Sequence, residues 1–236
     1  MSTQKIKAEL NKIKDKERAL NSAKFFRTGK GEYGEGDIFL GITVPAQREV
    51  AKKFLDLSLK DIEELLKNKI HEHRFTALEV LVMQYEQTEK AKDAKKQKQI
   101  FDFYIKNLKR VNNWDLVDTS APYIAGEYLV DKPKEILYKL AKSQNLWEKR
   151  VAIVATSAFI RQGSLADTFE ICKILMADKH DLIHKACGWM LREAGKKNLA
   201  ELENFLNQHA HRMPRTMLRY SIERMDTAKR KKYLRK

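Results

Sequence analysis

Residues 145–160 read NLWEKRVAIVATSAFI, and the secondary structure of this stretch decides the fold class of the chain. Its centre, residues 151–154, is a short apolar run of the kind that forms a buried strand. That run lies inside a longer segment, residues 147–160, whose flanking residues favour helices. We therefore predict one central helix over residues 147–160.

The spacing of apolar residues elsewhere in the chain also indicates helices. These residues recur three, four or seven positions apart, as in Leu55, Ile62, Leu65 and Leu66, then Phe75, Leu78, Leu81 and Val82, then Phe169, Cys172 and Leu175. Three capping residues are each followed three positions later by an acid, in the pairs Ser58 and Asp61, Ser164 and Asp167, and Asn198 and Glu201. Five of the nine glycines fall within residues 28–41, which predicts one irregular segment. No alternating strand pattern is present, so we predict an all-α fold.

Two motifs recur along the chain at the period of a two-helix repeat. The sequence NNWD at residues 112–115 matches NLWE at residues 145–148, an offset of 33 positions. A basic residue followed by small and apolar ones recurs at Arg150, Lys185 and Arg215, and Arg74 resembles a diverged earlier copy. Such repeats predict an α-solenoid in a single domain over residues 1–236, with a basic tail at residues 229–236.

The repeated basic residues have two interpretations. In a curved stack, the second helix of each pair lines a concave surface, so Arg74, Arg150, Lys185 and Arg215 would form a basic groove suited to the backbone of duplex DNA or RNA. Alternatively, they merely flank the starts of helices. The sequence pattern leaves both interpretations open.

The composition narrows the class of protein. The 236 residues include 47 Lys and Arg against 32 Asp and Glu, a net charge of +15, which is typical either of a nucleic-acid-binding protein or of a lysine-rich soluble surface. The chain has no apolar run of transmembrane length and no signal peptide, so we expect a soluble cytoplasmic protein that associates with the nucleoid when on DNA. The two cysteines, Cys172 and Cys187, exclude a disulfide framework.

The candidate functional residues are tryptophans and charged side chains that share helix faces. Trp114 and Asp118 lie four positions apart, and Trp189 and Arg192 lie three apart, so each pair occupies one face of a helix. A tryptophan at helical spacing is more often a core residue, and an aspartate in a first turn is more often a cap. The six histidines lack metal-ligand spacing, and residues 29–36 lack the GK[ST] of a P-loop, so we predict no metal and no cofactor.

Four segments in order resemble the AlkD-like family of DNA alkylation repair glycosylases, which are built of HEAT-like helical repeats. They are KFFRTGKGEYGEGDIFLGITVPAQR at residues 24–48, NNWDLVD at 112–118, NLWEKRVAI at 145–153 and KACGWMLRE at 185–193. Together they span nearly the whole chain apart from the first twenty residues and the tail. The chain departs from some relatives at Asn113, where they carry a second aromatic residue.

The resemblance implies an enzyme of base excision repair that removes 3-methyladenine and 7-methylguanine from duplex DNA. It implies that Asp118 is the catalytic carboxylate, that Trp114 and Trp189 form an aromatic pair beside it, and that Arg150 and Arg192 contact the DNA backbone. The residues predicted to bind DNA are Arg150, Arg192, Lys185, Lys149, Arg74 and Arg215. We expect a monomer that needs no metal or cofactor. The alternatives are a noncatalytic relative that binds distorted or branched DNA and a helical scaffold that binds an acidic protein.

Overall fold

The computed structural model describes residues 2–235, so Lys236 of the predicted basic tail lies outside the described residues. The helices are α1 (Ser2–Lys12), α2 (Lys16–Phe25), α3 (Val44–Lys52), α4 (Leu59–Leu66), α5 (His71–Lys90), α6 (Ala94–Lys106), α7 (Trp114–Ser120), α8 (Glu127–Leu129), α9 (Glu135–Ala141), α10 (Leu146–Ala155), α11 (Ser157–Arg161), α12 (Ala166–Leu175), α13 (Asp181–Lys197), α14 (Leu199–His209), α15 (Arg215–Ser221) and α16 (Thr227–Leu234). A 3₁₀ turn (Leu108–Arg110) and a π-turn (Pro122–Gly126) complete them.

Across residues 2–235 the strand content is a single isolated bridge between Ile38 and Ile70, so the predicted all-α fold is confirmed. The irregular segment is confirmed as well, because no helix forms between α2 and α3. Within the same described residues, no helix is long and apolar enough to cross a membrane.

The decisive stretch is helical, but it forms two helices rather than the one predicted. Helix α10 ends at Ala155 and α11 begins at Ser157. Between them, the Thr156 hydroxyl donates to the Ile153 carbonyl at 2.7 Å, and the Thr156 N–H bonds to the same carbonyl at 3.2 Å. This local bonding of a threonine competes with the regular i to i−4 pattern and interrupts the helix.

Two of the three predicted helix starts are confirmed. Ser58 and Asp61 form a reciprocal capping box at α4, and the Asn198 side chain accepts from the Glu201 N–H at α14. The prediction at Ser164 is wrong, because the N-cap position of α12 is Leu165. Asp167 instead accepts a hydrogen bond from the Tyr138 hydroxyl at 2.7 Å, which ties α12 to α9.

The chain divides into two compact units, of which the first ends at Ile124 and the second begins at Ala125. In the first unit α5 is the central helix and packs against α3, α4, α6 and α7. It is buried almost all round from its first residue to Tyr85, so its apolar residues form the core of this unit. The single domain expected from the sequence stays a prediction.

The helices of the second unit follow one another along the chain in pairs, namely α9 and α10, α12 and α13, and α14 and α15. The members of the first two pairs pack against each other, and α14 packs against α13. The second helices of these pairs are neighbours, since α13 packs against both α10 and α15. This side-by-side packing of consecutive pairs is the arrangement of an α-solenoid. In the first unit, α5 and α7 are neighbours in the same way.

The repeat places charged residues at one equivalent position. Asp118, Arg150 and Lys185 each lie four residues after the first residue of α7, α10 and α13, respectively. Two members of the repeat predicted from the sequence do not share this position, because Arg74 lies three residues after the first residue of α5 and Arg215 is itself the first residue of α15.

Candidate functional site

Helix α7 carries the two candidate residues of the first unit. Asn113 caps it, since the Asn113 Oδ1 accepts from the Trp114 N–H at 2.8 Å. Trp114 and Asp118 follow one turn apart on one face, and both are half-buried. Asn113 itself is fully buried and donates from Nδ2 to Asp37 at 3.2 Å. The residue that departs from the family pattern thus fixes the start of the helix.

An aromatic stack supports the Trp114 indole. The Phe26 ring lies parallel to the indole with centroids 5.1 Å apart, and Phe39 stacks on Phe26 at 5.0 Å. Phe25 meets the indole edge-on at 5.8 Å and is 66% exposed. The segment between α2 and α3, which the sequence indicates only as an irregular connection, therefore shapes the surroundings of Trp114.

A buried network of charges lies at the N-terminus of α7. The two nitrogens of His71 contact two carboxylates, with Nδ1 at 3.3 Å from Asp37 and Nε2 at 2.7 Å from Asp115. Arg74 donates to the other oxygen of Asp37 at 2.7 Å and to the Asn68 carbonyl at 3.0 Å. With His71 protonated, the cations His71 and Arg74 balance the anions Asp37 and Asp115. Charges that are paired in this way avoid the large free-energy cost of burying an isolated charge.

The network changes the acidity of its members. Burial alone would lower the pKa of His71, but the charge of Asp115 and the hydrogen bonds to Asp115 and Asp37 outweigh it and raise that pKa to about 9. Burial would raise the pKa of Asp37, but the contacts with His71 and Arg74 hold that pKa below its usual value. His71 is therefore an imidazolium at neutral pH.

This shift predicts a dependence of stability on pH. The folded pKa of about 9 lies above the reference value of 6.5, so the stabilisation is complete below pH 6.5 and is lost as the pH rises through 9. We expect the free energy of unfolding to fall by about 3 kcal/mol over this window. Urea unfolding from pH 6.5 to 9.5 measures it, and His71→Gln is the control, because it removes the titrating group. Equal pH slopes for the two proteins would contradict the assignment.

A second point of attachment holds the other end of α7. The Thr119 hydroxyl donates to Glu79 of α5 at 2.6 Å. Glu79 is 4% exposed and also accepts from Arg48 Nε at 3.0 Å.

Asp118, the neighbour of Thr119, lies near the buried Tyr104. Burial raises the pKa of the Tyr104 phenol above its usual value, and the negative charge of Asp118 raises it further.

In the second unit, α13 carries Trp189, Lys185 and Arg192. Trp189 is half-buried and follows Gly188, where a Cβ atom would lie 2.6 Å from the Met217 carbonyl of α15. This close approach of the two helices therefore requires glycine. Lys185 pairs with Asp181 at 2.8 Å, and Arg192 pairs with Glu223.

The remaining predicted DNA-binding residues differ in accessibility. Lys149 pairs with Asp178 at 2.7 Å, and exposed Arg215 donates to the Leu234 carbonyl at the end of α16. Arg150 is 5% exposed and donates to the Leu182 carbonyl at 2.8 Å. Arg74 is 4% exposed and pairs with Asp37 in the buried network, so its predicted contact with DNA stays a prediction.

Sequence reasoning missed Asp37, His71, Asp115, Glu79 and Thr119. The one local signal was the spacing of Asp115 and Thr119, which puts both residues on one face of α7. Their partners on α5 lie 40 or more positions away in sequence.

Within residues 2–235 no group of three or more His, Cys, Asp or Glu side chains is arranged to hold a metal ion.

Comparison with known proteins shows the family to which the chain belongs. The sequence model of the DNA alkylation repair enzyme family matches residues 6–225, so the chain belongs to this family. A solved structure of a predicted DNA alkylation repair enzyme from Enterococcus faecalis shares the fold, with a TM-score of 0.68 and 16% sequence identity over 91% of this chain and 97% of that one. No curated protein matches the sequence.

Proposed function

We propose that the protein is a DNA glycosylase that hydrolyses the N-glycosidic bond of positively charged alkylated purines, 3-methyladenine and 7-methylguanine, in duplex DNA. The observation that carries this proposal is the Asp118 carboxylate, which lies one turn from the stacked Trp114 indole on a helix attached at two points. Membership of the DNA alkylation repair family supplies the damaged-DNA context.

The chemistry of the lesion suits a carboxylate. Alkylation at N3 or N7 gives the base a formal positive charge, so the base leaves as a neutral molecule and needs no general acid. Bond breaking develops positive charge on the deoxyribose, which a fixed carboxylate stabilises while it orients or deprotonates the attacking water. At about 4 Å and an effective dielectric constant near 20, the attraction is about 4 kcal/mol, which corresponds to roughly a thousandfold in rate.

Indole faces would assist the same step. A cation above an indole ring is stabilised by about 0.5–2 kcal/mol, so Trp114 would favour the cationic sugar over the neutral substrate. We propose the same role for Trp189, which rests on the family resemblance. Both indoles are half-buried and so retain exposed surface.

A second reaction class for alkylation repair, transfer of the alkyl group to a cysteine thiolate, has little support. Cys172 and Cys187 are both completely buried. Burial raises the pKa of the Cys172 thiol well above its usual value, and a protonated, inaccessible thiol is a poor nucleophile. Hydrolysis of the glycosidic bond is therefore the function that the side chains support best.

The proposal is tested with a duplex that contains a single 7-methylguanine. We expect abasic sites to form in proportion to the protein added, detected as strand breaks after mild alkali. A protein that binds the duplex tightly and in a salt-sensitive way, yet forms no abasic site there or at 3-methyladenine, would instead be the noncatalytic DNA-binding relative.

The affinity for DNA is expected to depend steeply on salt. About six phosphate contacts predict a slope near −5 in a plot of log affinity against log salt concentration. If a DNA phosphate replaces Asp181 as the partner of Lys185, Lys185→Gln is expected to make the salt slope shallower by about one unit. Lys139 lies on α9, the first helix of its pair, so Lys139→Gln is expected to keep the wild-type slope. Fluorescence anisotropy between 50 and 200 mM KCl, roughly the range over which such slopes are resolved, measures both. A flat dependence would contradict DNA binding altogether.

A further inference from the structure

Helix α7 is joined to α5 by two side-chain bonds that lie on the same side of α7. Asp115 contacts His71 at 2.7 Å, and Thr119 donates to Glu79 at 2.6 Å. Asp115 and Thr119 are four residues apart, so they form one stripe along the helix. Two attachments along one stripe restrict rotation of a helix about its own axis more than one attachment does.

The attachment at Glu79 is built into the protein interior. The Glu79 side chain is 6% exposed, so the hydroxyl of Thr119 and the guanidinium of Arg48 replace its contacts with water. Arg48, in contrast, is half exposed. Because a buried carboxylate without donors is costly, these bonds set where Glu79 and its partners lie.

The stripe that bears the proposed chemistry lies beside the attached one. With about 3.6 residues per turn, Trp114 and Asp118 lie about 100° around the axis from Asp115 and Thr119. A side-chain end about 5 Å from the axis moves by about 2 Å when the helix rotates by about 20°. A displacement of 1 Å in a reacting group is enough to cost about a hundredfold in rate.

We infer that Glu79 is a positioning residue: by holding Thr119, it sets the rotation of α7 about the His71–Asp115 contact and thereby the direction of the Asp118 carboxylate. This inference rests on the proposed glycosylase function. Glu79 touches neither the substrate nor Asp118 in this role, and its effect reaches the reaction through the backbone of α7.

The experiment measures single-turnover release of 7-methylguanine at saturating protein, together with DNA affinity and melting temperature. Thr119→Val keeps the shape of the side chain but removes the hydroxyl, and we expect the rate to fall about 10- to 100-fold with unchanged affinity. Thr119→Ser restores the donor and is expected to return the rate to within about threefold of wild type. Glu79→Met removes the acceptor and should match Thr119→Val.

Lys52→Met is the matched control, because Lys52 lies on α3 like Arg48 but pairs with the exposed Glu49, so both bonds to Glu79 stay in place. Its rate at saturation is expected to equal that of wild type. A wild-type rate in Thr119→Val, or a rate in Thr119→Ser as low as in Thr119→Val, would overturn the inference while leaving the glycosylase intact. An equal loss of rate and affinity would make Thr119 a DNA contact and also overturn it. Absence of release by wild type would overturn the proposed function and this inference with it.

Discussion

Asp118→Asn is expected to slow excision of 7-methylguanine by about a thousandfold at saturating protein. The amide is the same size as the carboxylate but carries no charge, so it loses the attraction of about 4 kcal/mol to the cationic sugar. The affinity for DNA should be retained, because removal of a negative charge does not weaken binding to phosphates. Single-turnover release from a duplex with one lesion measures the rate, and anisotropy measures the affinity.

Asp102→Asn is the matched control for this loss of charge. Asp102 lies on α6, where it is exposed and pairs with Lys98 at 2.6 Å, so its neutralisation should change the rate by less than about twofold. If Asp118→Asn kept more than about a tenth of the wild-type rate, Asp118 would not be the carboxylate that stabilises the transition state.

Arg74→Met is expected to have the largest effect on stability. It leaves the Asp37 carboxylate, whose side chain is 6% exposed, without its closest cation, and removal of one partner from a buried ion pair costs about 3–5 kcal/mol. Urea unfolding at pH 7 measures this loss, and the exposed Arg224→Met serves as control, with an expected change below about 0.5 kcal/mol.

The same variant separates the structural role of Arg74 from the DNA contact that its sequence pattern indicated. If the role of Arg74 is only structural, the folded fraction of Arg74→Met is expected to bind DNA with an unchanged salt slope. A variant with wild-type stability and a salt slope shallower by about one unit would instead make Arg74 a phosphate contact.

The fold could be predicted because its signals are local. Apolar spacing and capping residues such as Ser58 depend on neighbours within one helical turn, and they define most of the helices. The break at Thr156 was missed because a threonine bonds back to the preceding carbonyl only in some helices. Ser164 failed as a cap because the partner of Asp167 is Tyr138, 29 residues away.

The candidate site could be predicted only in part, for the same reason. The spacing of Trp114 and Asp118 within α7 is local, so the sequence alone places both on one face. The groups that hold this helix come from distant segments, with His71 44 positions from Asp115 and Asp37 76 positions from Asn113. Arg74 shared the repeated pattern of basic residues, and only the folded chain brings Asp37 to it.

The most direct test of glycosidic hydrolysis by this protein follows the alkyl group of the lesion. Duplex DNA that carries isotopically labelled methyl groups on guanine N7 and adenine N3 is incubated with the wild-type protein, and the small molecules, the DNA and the protein are each analysed by mass spectrometry. We predict that the label leaves the DNA on intact 7-methylguanine and 3-methyladenine, with one abasic site for each base released. Label that stays on the DNA, or that is found on the protein, would contradict glycosidic hydrolysis as the function of this chain.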